Sequence, residues 1–393
     1  MTSLAEPLQP PSRVLLGPGP SNVHPRVLRA MSTPLVGHLD PAFLRIMDAT
    51  RRLLQFVFQT RNELTIPISA TGSAGMEACL VNLLEPGDEA VVCVNGVFGT
   101  RMADIVERCG ATLVRAEAPW GRVIDPADVA AALRQCRRPK LVAIVHAETS
   151  TGVWQPLEEL APLVRGFGAL LVVDAVTSLG GCPVHVDEWG IDACYSGTQK
   201  CLSCPPGLAP ITFSPRAAEV LRTRRSKVVS WYLDLTMIQK YWGAERVYHH
   251  TAPISMNYAL YEALRLIEEE GLELRWARHE QNHRALKAGL AAIGLGIAAQ
   301  EQHQLWMLNS VTIPAGVEDA RVRTALLEEF GIEIGGGLGP LKGQTWRIGL
   351  MGESSQAANV LLVLSALERV LPRSGYAVEA GAAVAAAQRV YAG

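Results

Sequence analysis

A short apolar run, from Ala169 to Val173, constrains the fold of this chain more than any other feature. The run follows a glycine and is too short for a helix, so it is typical of a strand buried on both faces, as in a parallel sheet. It ends on the carboxylate of Asp174. A second short run, Ile191 to Tyr195, leads through a small polar segment to Lys200, whose sequence neighbours are uncharged.

Asp174 and Lys200 together suit the chemistry of pyridoxal phosphate (PLP). That cofactor needs a lysine amine for a Schiff base and a carboxylate that keeps the pyridine nitrogen protonated, so that the ring accepts electrons. An uncharged setting also lowers the pKa of a lysine towards that of a nucleophilic amine. The alternative is that Asp174 caps a turn and Lys200 is a solvated loop residue.

Strand-like runs alternate with helical segments through the first half of the chain, which predicts an α/β fold with a mainly parallel sheet. We expect the strands at 66–69, 90–94, 141–145, 169–173 and 191–195. Ligands of open α/β sheets bind at the carboxyl ends of the strands. The residues that follow these strands are therefore expected to share one crevice: Thr71, Gly72, Ser73, Phe98, Thr149, Asp174 and Lys200.

The segment that contains Thr71, Gly72 and Ser73 opens a predicted helix. Small residues at a helix start expose backbone N–H groups to an anion, and the helix dipole favours phosphate there. A simple helix cap is the alternative.

Length and composition set the remaining limits. The 393 residues suffice for two or three domains, and we expect an N-terminal arm (1–18), a large domain (19–272) and a small C-terminal α+β domain (273–393). A net charge of −2 gives no reason to expect nucleic acid or an anionic membrane as a partner. The chain shows neither a secretory signal nor an apolar run of about 18 residues, so a cytoplasmic location is expected.

Two patterns resemble metal sites. His279 and His283 match the zinc-protease pattern H-E-x-x-H within a helix predicted over roughly 255–293. Neighbouring arginines would repel Zn²⁺, and the polar middle residues indicate a solvated helix face, so a zinc metalloprotease is a remote alternative. Cys201 and Cys204 have no second pair, so a redox or metal role is not favoured.

Two further segments, one near the N-terminus and one in the C-terminal part, offer candidates for ligand binding. Gly17 and Gly19 lie in a Gly/Pro turn, which suits either a backbone close to a ligand or a plain turn. Arg347 stands in an otherwise apolar strand, where it would either clamp a substrate carboxylate through two hydrogen bonds or form a surface ion pair.

Several longer motifs carry a family resemblance, among them LLGPGPSN, STGVWQPL, VVDAVTSLGG, YSGTQK, YHHT and RIGL. From about Leu15 to Gly352 the chain resembles the class V (fold type I) PLP-dependent aminotransferases, and within them the alanine–glyoxylate group. The resemblance implies a large domain with a mainly parallel, seven-stranded type of sheet and a smaller C-terminal α+β domain. It also implies PLP as cofactor, small amino acids and 2-oxo acids as substrates, and a homodimer with shared active sites.

The same resemblance implies a role for each site residue. Lys200 would be the Schiff-base lysine, and Asp174 would hold the pyridine nitrogen. The other cofactor contacts would be ring stacking by Phe98, a bond from Thr149 to the phenolic oxygen, and phosphate binding by Thr71, Gly72, Ser73 and Gln199, with Tyr248 and Thr251 from the partner subunit. Gly19 and Arg347 would bind the substrate. Animal members have a tryptophan at the position of Phe98 and a histidine at that of Ser73, and both replacements keep the needed chemistry.

The resemblance implies ping-pong transfer of an amino group from L-alanine, or L-serine, to glyoxylate. A serine–glyoxylate or serine–pyruvate preference, or a PLP lyase or epimerase on the same scaffold, is the alternative. A cysteine desulfurase is disfavoured because it needs a cysteine on a C-terminal loop, and none follows Cys204. A non-catalytic phosphoanion-binding protein is a further alternative, in which Lys200 has no chemical role.

Overall fold

A computed structural model describes residues 7–393, so the first six residues of the expected N-terminal arm lie outside the described part of the chain. The strands are β1 Val14–Leu15, β2 Leu64–Ile68, β3 Glu89–Val94, β4 Thr112–Glu117, β5 Pro139–Val145, β6 Ala147–Glu148, β7 Val153–Trp154, β8 Leu170–Asp174, β9 Ala193–Tyr195, β10 Ala209–Phe213, β11 Leu308–Thr312, β12 Ile332–Glu333, β13 Gly335–Gly336 and β14 Thr345–Gly349. The helices are α1 Pro25–Met31, α2 Pro41–Phe58, α3 Gly72–Leu83, α4 Val97–Arg108, α5 Pro126–Gln135, α6 Leu160–Gly166, α7 Pro215–Thr223, α8 Leu235–Trp242, α9 Ile254–Glu270, α10 Leu272–Ala292, α11 Asp319–Phe330, α12 Ala357–Arg373 and α13 Ala382–Ala392.

A seven-stranded sheet in the order β2-β10-β9-β8-β5-β3-β4 forms the centre of the molecule, which confirms the predicted α/β fold. The strands β9, β8, β5, β3 and β4 pair in parallel. Strand β10 runs antiparallel to both of its neighbours. The strand prediction did not include β10, because Pro210 lies inside its apolar run and a proline argues against a central strand. In the structure Pro210 lies opposite Pro67 of β2.

Both faces of the sheet are buried, as the unbroken apolar runs indicate. Along β8, Leu170 and Val172 belong to one apolar cluster, while Leu171 and Val173 belong to another on the opposite face. This alternation follows from the two-residue period of a strand. Helices therefore cover both faces, and the carboxyl ends of the parallel strands are left as the place for a ligand.

The C-terminal part has its own three-stranded sheet, β11-β14-β13, and its own apolar cluster, which includes Trp346 and Ile348.

The single helix predicted over 255–293 is wrong: α9 and α10 meet at Gly271, whose φ of 82° interrupts the helix. Within the described part of the arm, Val14 and Leu15 pair in parallel with Ile332 and Glu333. The domain boundaries themselves stay a prediction. Among residues 7–393, no helix is both long enough and apolar enough to span a bilayer.

Candidate active site

Lys200 lies in a buried position just beyond the end of β9 and is only 9% exposed. Its Nζ donates a hydrogen bond to the carbonyl of Pro18, and Gly19 packs so closely that any side chain there would collide with the amine. Burial, reinforced by the positive charge of Arg347, lowers the pKa of Lys200 from 10.5 to about 8. A substantial share of this amine is therefore neutral at mildly alkaline pH, as a nucleophile requires.

Asp174 ends β8 and is fully enclosed by protein. Its Oδ1 accepts a hydrogen bond from Val176 N at 2.8 Å, and its Oδ2 accepts one from Tyr195 Oη at 2.9 Å. Burial raises the pKa of Asp174 from 3.8 to about 7, and these hydrogen bonds oppose that rise. A cationic pyridine nitrogen beside this carboxyl would favour its ionised form.

The sequence analysis did not find Tyr195. The signal is present, however, because Tyr195 closes the strand before Lys200. It lies directly across from Asp174 in the parallel pairing of β8 and β9. Only the register of the two strands shows that the hydroxyl meets the carboxylate.

A cradle of small groups lies beside Lys200. Thr71 is the N-cap of α3, and within residues 7–393 its side chain makes no capping hydrogen bond. Gly72 packs against Gly197, where an added Cβ would lie 3.4 Å from Gly197 Cα. In the described part of the chain the buried Oε1 of Gln199 has no hydrogen-bond partner. Ser73 is exposed, and its Oγ accepts a hydrogen bond from Arg101 Nη1 at 3.0 Å.

Phe98 is half-buried in the first turn of α4, and the guanidinium carbon of Arg101 lies 5.1 Å from the centre of its ring. Backbone N–H groups of this turn bond to the loop that carries Thr149: Phe98 N donates to Glu148 Oε2 at 3.2 Å. Thr149 is itself buried. Sequence reasoning found Phe98 and Thr149 but not Glu148, the carboxylate between them.

Arg347 is 8% exposed, so the alternative of a surface ion pair is wrong. Its Nε donates to Gly336 O at 2.7 Å, and its Nη1 donates to Thr149 O at 3.3 Å. Burial lowers the pKa of this arginine, while the charge of Glu148 opposes the change. The guanidinium is thus held by carbonyl groups beside the lysine, where it has donors suited to a carboxylate.

Tyr248 and Thr251 do not join this cluster within one chain. Tyr248 is 57% exposed and its ring centre lies 5.2 Å from that of His38, while Thr251 is also exposed. The expectation that both reach the active site of a second subunit therefore stays a prediction.

His279 and His283 do not form a zinc site, and the interpretation of their helix face as solvated is wrong, since both side chains are buried. Gly352 N donates to His279 Nε2 at 2.9 Å, so we assign the proton to Nδ1, which lies 2.7 Å from Arg275 O. His283 Nδ1 bonds to Asn309 Oδ1 at 2.8 Å. Residues 7–393 contain no group of three or more His, Cys, Asp or Glu side chains placed to hold a metal. Both ring nitrogens of His279 are therefore used in hydrogen bonds to backbone groups, which hold α10 in place.

Cys201 and Cys204 are free and buried. Burial raises the pKa of the Cys201 thiol to about 12 and that of Cys204 further, so neither is a reactive thiolate.

Comparisons with known proteins find relatives over almost the whole chain. The family model described as Aminotransferase class-V matches residues 14–350. The chain belongs to this family. As a class-V aminotransferase it is an enzyme, a PLP-dependent transaminase.

Three relatives cover nearly the whole of this class-V aminotransferase. The crystal structure of ureidoglycine–glyoxylate aminotransferase from Bacillus subtilis has a TM-score of 0.97 and 46% identity, covering 99% of this chain and 100% of that one. The structure of an alanine–glyoxylate aminotransferase from Nostoc sp. has a TM-score of 0.92 and 52% identity, covering 94% and 98% of the two chains. Alanine–glyoxylate aminotransferase of Rattus norvegicus is 42% identical over 373 residues, which cover 94% of this chain and 90% of that protein.

The residues present fit PLP. Four features lie at or just beyond the carboxyl ends of the sheet's strands: the Oε1 of Gln199, which has no hydrogen-bond partner among residues 7–393, the close approach of Gly72 to Gly197, the buried carboxyl of Asp174 and the buried amine of Lys200. Each of these features suits one part of the cofactor.

Proposed function

We propose that this aminotransferase transfers the amino group of L-alanine, or of L-serine, to glyoxylate by a ping-pong mechanism. The observation that carries the proposal is the buried pair Lys200 and Arg347, an amine with a lowered pKa and a guanidinium whose charge acts on it. The relatives lend support, since those described above are all named for glyoxylate as a substrate.

We assign the cofactor contacts as follows. Asp174 holds the pyridine nitrogen, Phe98 covers one face of the ring and Thr149 bonds the phenolic oxygen. The phosphate is held by Thr71, Gly72, Ser73 and Gln199. When bound, PLP supplies an electron sink that stabilises negative charge at the α-carbon of the substrate.

Lys200 acts as the general base and acid of the proposed reaction. Its neutral amine takes the α-proton of the amino donor at Nζ and holds it as an ammonium group, ready to return it. Because the pKa of Lys200 is lowered to about 8, both its neutral and its protonated form are populated near neutral pH. An ordinary lysine is almost entirely protonated there and would be a poorer base.

Arg347 fixes the substrate by its carboxylate. The carbonyl groups of Gly336 and Thr149 orient the guanidinium. Its remaining N–H groups are therefore held in a fixed orientation, in which they can donate to the carboxylate of the substrate. Since one such arginine is assigned, we expect small monocarboxylate amino acids rather than aspartate or glutamate. Gly19 lets the backbone come close to Lys200 and to the substrate.

We propose a homodimer in which Tyr248 and Thr251 complete the phosphate site of the partner. Exposed aromatic side chains surround this segment: Trp231 is 64% exposed and Tyr232 is 39% exposed. Aromatic residues at such exposure are typical of a surface that another protein covers.

Ureidoglycine is a second candidate donor. The Bacillus subtilis enzyme named for that substrate is 44% identical to this chain over 399 residues, 97% of this chain and 96% of that protein. A PLP lyase or epimerase would not consume glyoxylate at all.

Initial rates with glyoxylate and one donor at a time, with glycine measured as product, separate these activities. We expect alanine to give the highest kcat/KM, with serine second and glutamate far lower. A higher kcat/KM for ureidoglycine would move the donor assignment to the second candidate. Absence of glycine with every donor would contradict glyoxylate-dependent transamination.

A further inference from the structure

Glu148 is a buried carboxylate to which the proposed reaction gives no role. It ends β6 and is 1% exposed. Its Oε1 accepts hydrogen bonds from Ser150 N at 3.1 Å and from Ser150 Oγ at 2.6 Å, and its Oε2 accepts one from Phe98 N at 3.2 Å. Burial raises its pKa, and these hydrogen bonds oppose the rise.

Glu148 and Ser150 together cap helix α4, which lies in a different part of the chain, between β3 and β4. The first N–H groups of a helix lack partners within it and are usually met by the side chain of the N-cap residue. The N-cap of α4 is Gly96, which has no side chain. Val97 N donates instead to Ser150 Oγ at 3.0 Å, and Phe98 N to Glu148.

Gly96 makes this arrangement possible. A Cβ on Gly96 would collide with the carboxyl group of Glu148 and with Ser150 Oγ. An ordinary N-cap side chain therefore has no room, and the carboxylate of Glu148 at the end of β6 replaces it. Negative charge at this point is also stabilised by the dipole of α4.

The cap acts on Phe98, the residue proposed to stack on the cofactor ring. Phe98 is the second residue of α4, so the bond from its N–H to Glu148 fixes the backbone from which its ring projects. Thr149, the proposed partner of the phenolic oxygen, is the residue next to Glu148. One carboxylate thus links the loop of Thr149 to the helix turn of Phe98.

We propose that Glu148, supported by Ser150, is a positioning residue that holds Phe98 against the PLP ring. The inference rests on the stacking role proposed for Phe98. Glu148 would not touch the cofactor, so its effect on cofactor binding would disappear when the Phe98 ring is absent.

The test is a double-mutant cycle read by cofactor binding. The dissociation constant of PLP and the visible circular dichroism of the bound cofactor are measured for the wild type, Glu148→Gln, Phe98→Ala and the double variant. We expect Glu148→Gln to raise the dissociation constant about tenfold, the size of one charged hydrogen bond, and to weaken the dichroism. In the Phe98→Ala background the same change should have less than about a twofold effect.

A matched control lies at the opposite end of α3. Glu85 accepts hydrogen bonds from Ser226 N at 2.7 Å and Ser226 Oγ at 2.6 Å, which repeats the bonding of Glu148 to Ser150. Helix α3 has 12 residues and so separates Glu85 from Thr71 by about 18 Å. Glu85→Gln should leave both readouts at their wild-type values.

The outcomes separate the two proposals. If Phe98→Ala leaves the dissociation constant and the dichroism unchanged, the stacking role fails and the inference with it. If Phe98→Ala has an effect but Glu148→Gln has none, or the two effects simply multiply, stacking stands and the positioning role of Glu148 is overturned. Should Glu148→Gln not fold, Ser150→Ala replaces it in the same cycle, and its effect on the dissociation constant should likewise disappear in the Phe98→Ala background.

Discussion

Two titratable side chains control the chemistry of the site through their burial. The amine of Lys200 and the carboxyl of Asp174 are both shifted towards their neutral forms, which leaves each ready for a charged or covalent partner. Reaction between the apoprotein and PLP, and the stability of the apoprotein, should both depend on pH as a result.

The rate of covalent PLP capture by the apoprotein should rise with pH through a midpoint of about 8, because only the neutral form of Lys200 attacks. An ordinary lysine titrates near 10.4. Since the charge of Arg347 contributes to the shift, Arg347→Gln should move the midpoint upward. Stopped-flow absorbance over pH 6–11 measures both; a wild-type midpoint near 10 would contradict the assignment.

Asp174→Asn should stabilise the apoprotein at pH 8 while it abolishes transamination. The carboxyl ionises near pH 3.9 in the unfolded chain but only at about 7 in the folded protein. Between these values the folded state binds more protons, so wild-type stability falls as pH rises through this window. The asparagine variant escapes that loss, and we expect it to be about 4 kcal/mol more stable at pH 8, since the difference between the folded and unfolded pKa values is then fully expressed.

Urea unfolding of both apoproteins at pH 4 and pH 8 measures this difference. The two should be nearly equal at pH 4, where the carboxyl is protonated in the folded state. A wild type that is the more stable of the two at pH 8 would show that folding does not raise the pKa of Asp174.

At the scale of elements, the close approach of the N-terminal turn to Lys200 makes a direct prediction. Gly19 has a φ of 104° and leaves no room for a Cβ beside the amine. Gly19→Ala should therefore lower covalent PLP capture by at least about tenfold. Gly17→Ala is the matched control, since its added Cβ would meet Glu333 at an ordinary 3.7 Å. Equal behaviour of the two variants in reconstitution assays would exclude a special role for Gly19.

The parallel strands and the residues at their ends were predictable from sequence, because an apolar run buried on both faces leaves little choice of structure. Strand β10 was missed because Pro210 obscures it, and the break between α9 and α10 at Gly271 was missed because the periodicity continues across it. The burial of His279 was missed for a different reason. Its bonds go to the backbone of Arg275 and Gly352, and such partners carry no pattern in the sequence.

The site shows the same limit. Residue type and position along a strand were enough to make Lys200, Asp174 and Arg347 candidates, and their roles stay proposals. Tyr195 and Glu148 depend on strand register and on how a loop meets a helix, so only three-dimensional structure reveals them.

At the scale of the whole molecule, the proposed homodimer predicts complementation between two inactive variants. In a mixed dimer of Lys200→Ala with Tyr248→Phe/Thr251→Val, one site combines a wild-type lysine with the partner's wild-type Tyr248 and Thr251. We expect such dimers to regain about half of wild-type activity, because one of two sites is intact. Differently tagged subunits, refolded together and purified, permit the measurement. Activity no higher than that of either parent would contradict the shared site.

The most direct test of the central claim, that Lys200 and Asp174 hold PLP for glyoxylate-dependent transamination, is a visible spectrum of the purified enzyme during its two half-reactions. We predict a yellow cofactor band that alanine removes and glyoxylate restores, and no such band in Lys200→Ala. A protein that stays colourless after addition of PLP, or a band that neither substrate changes, would contradict the account.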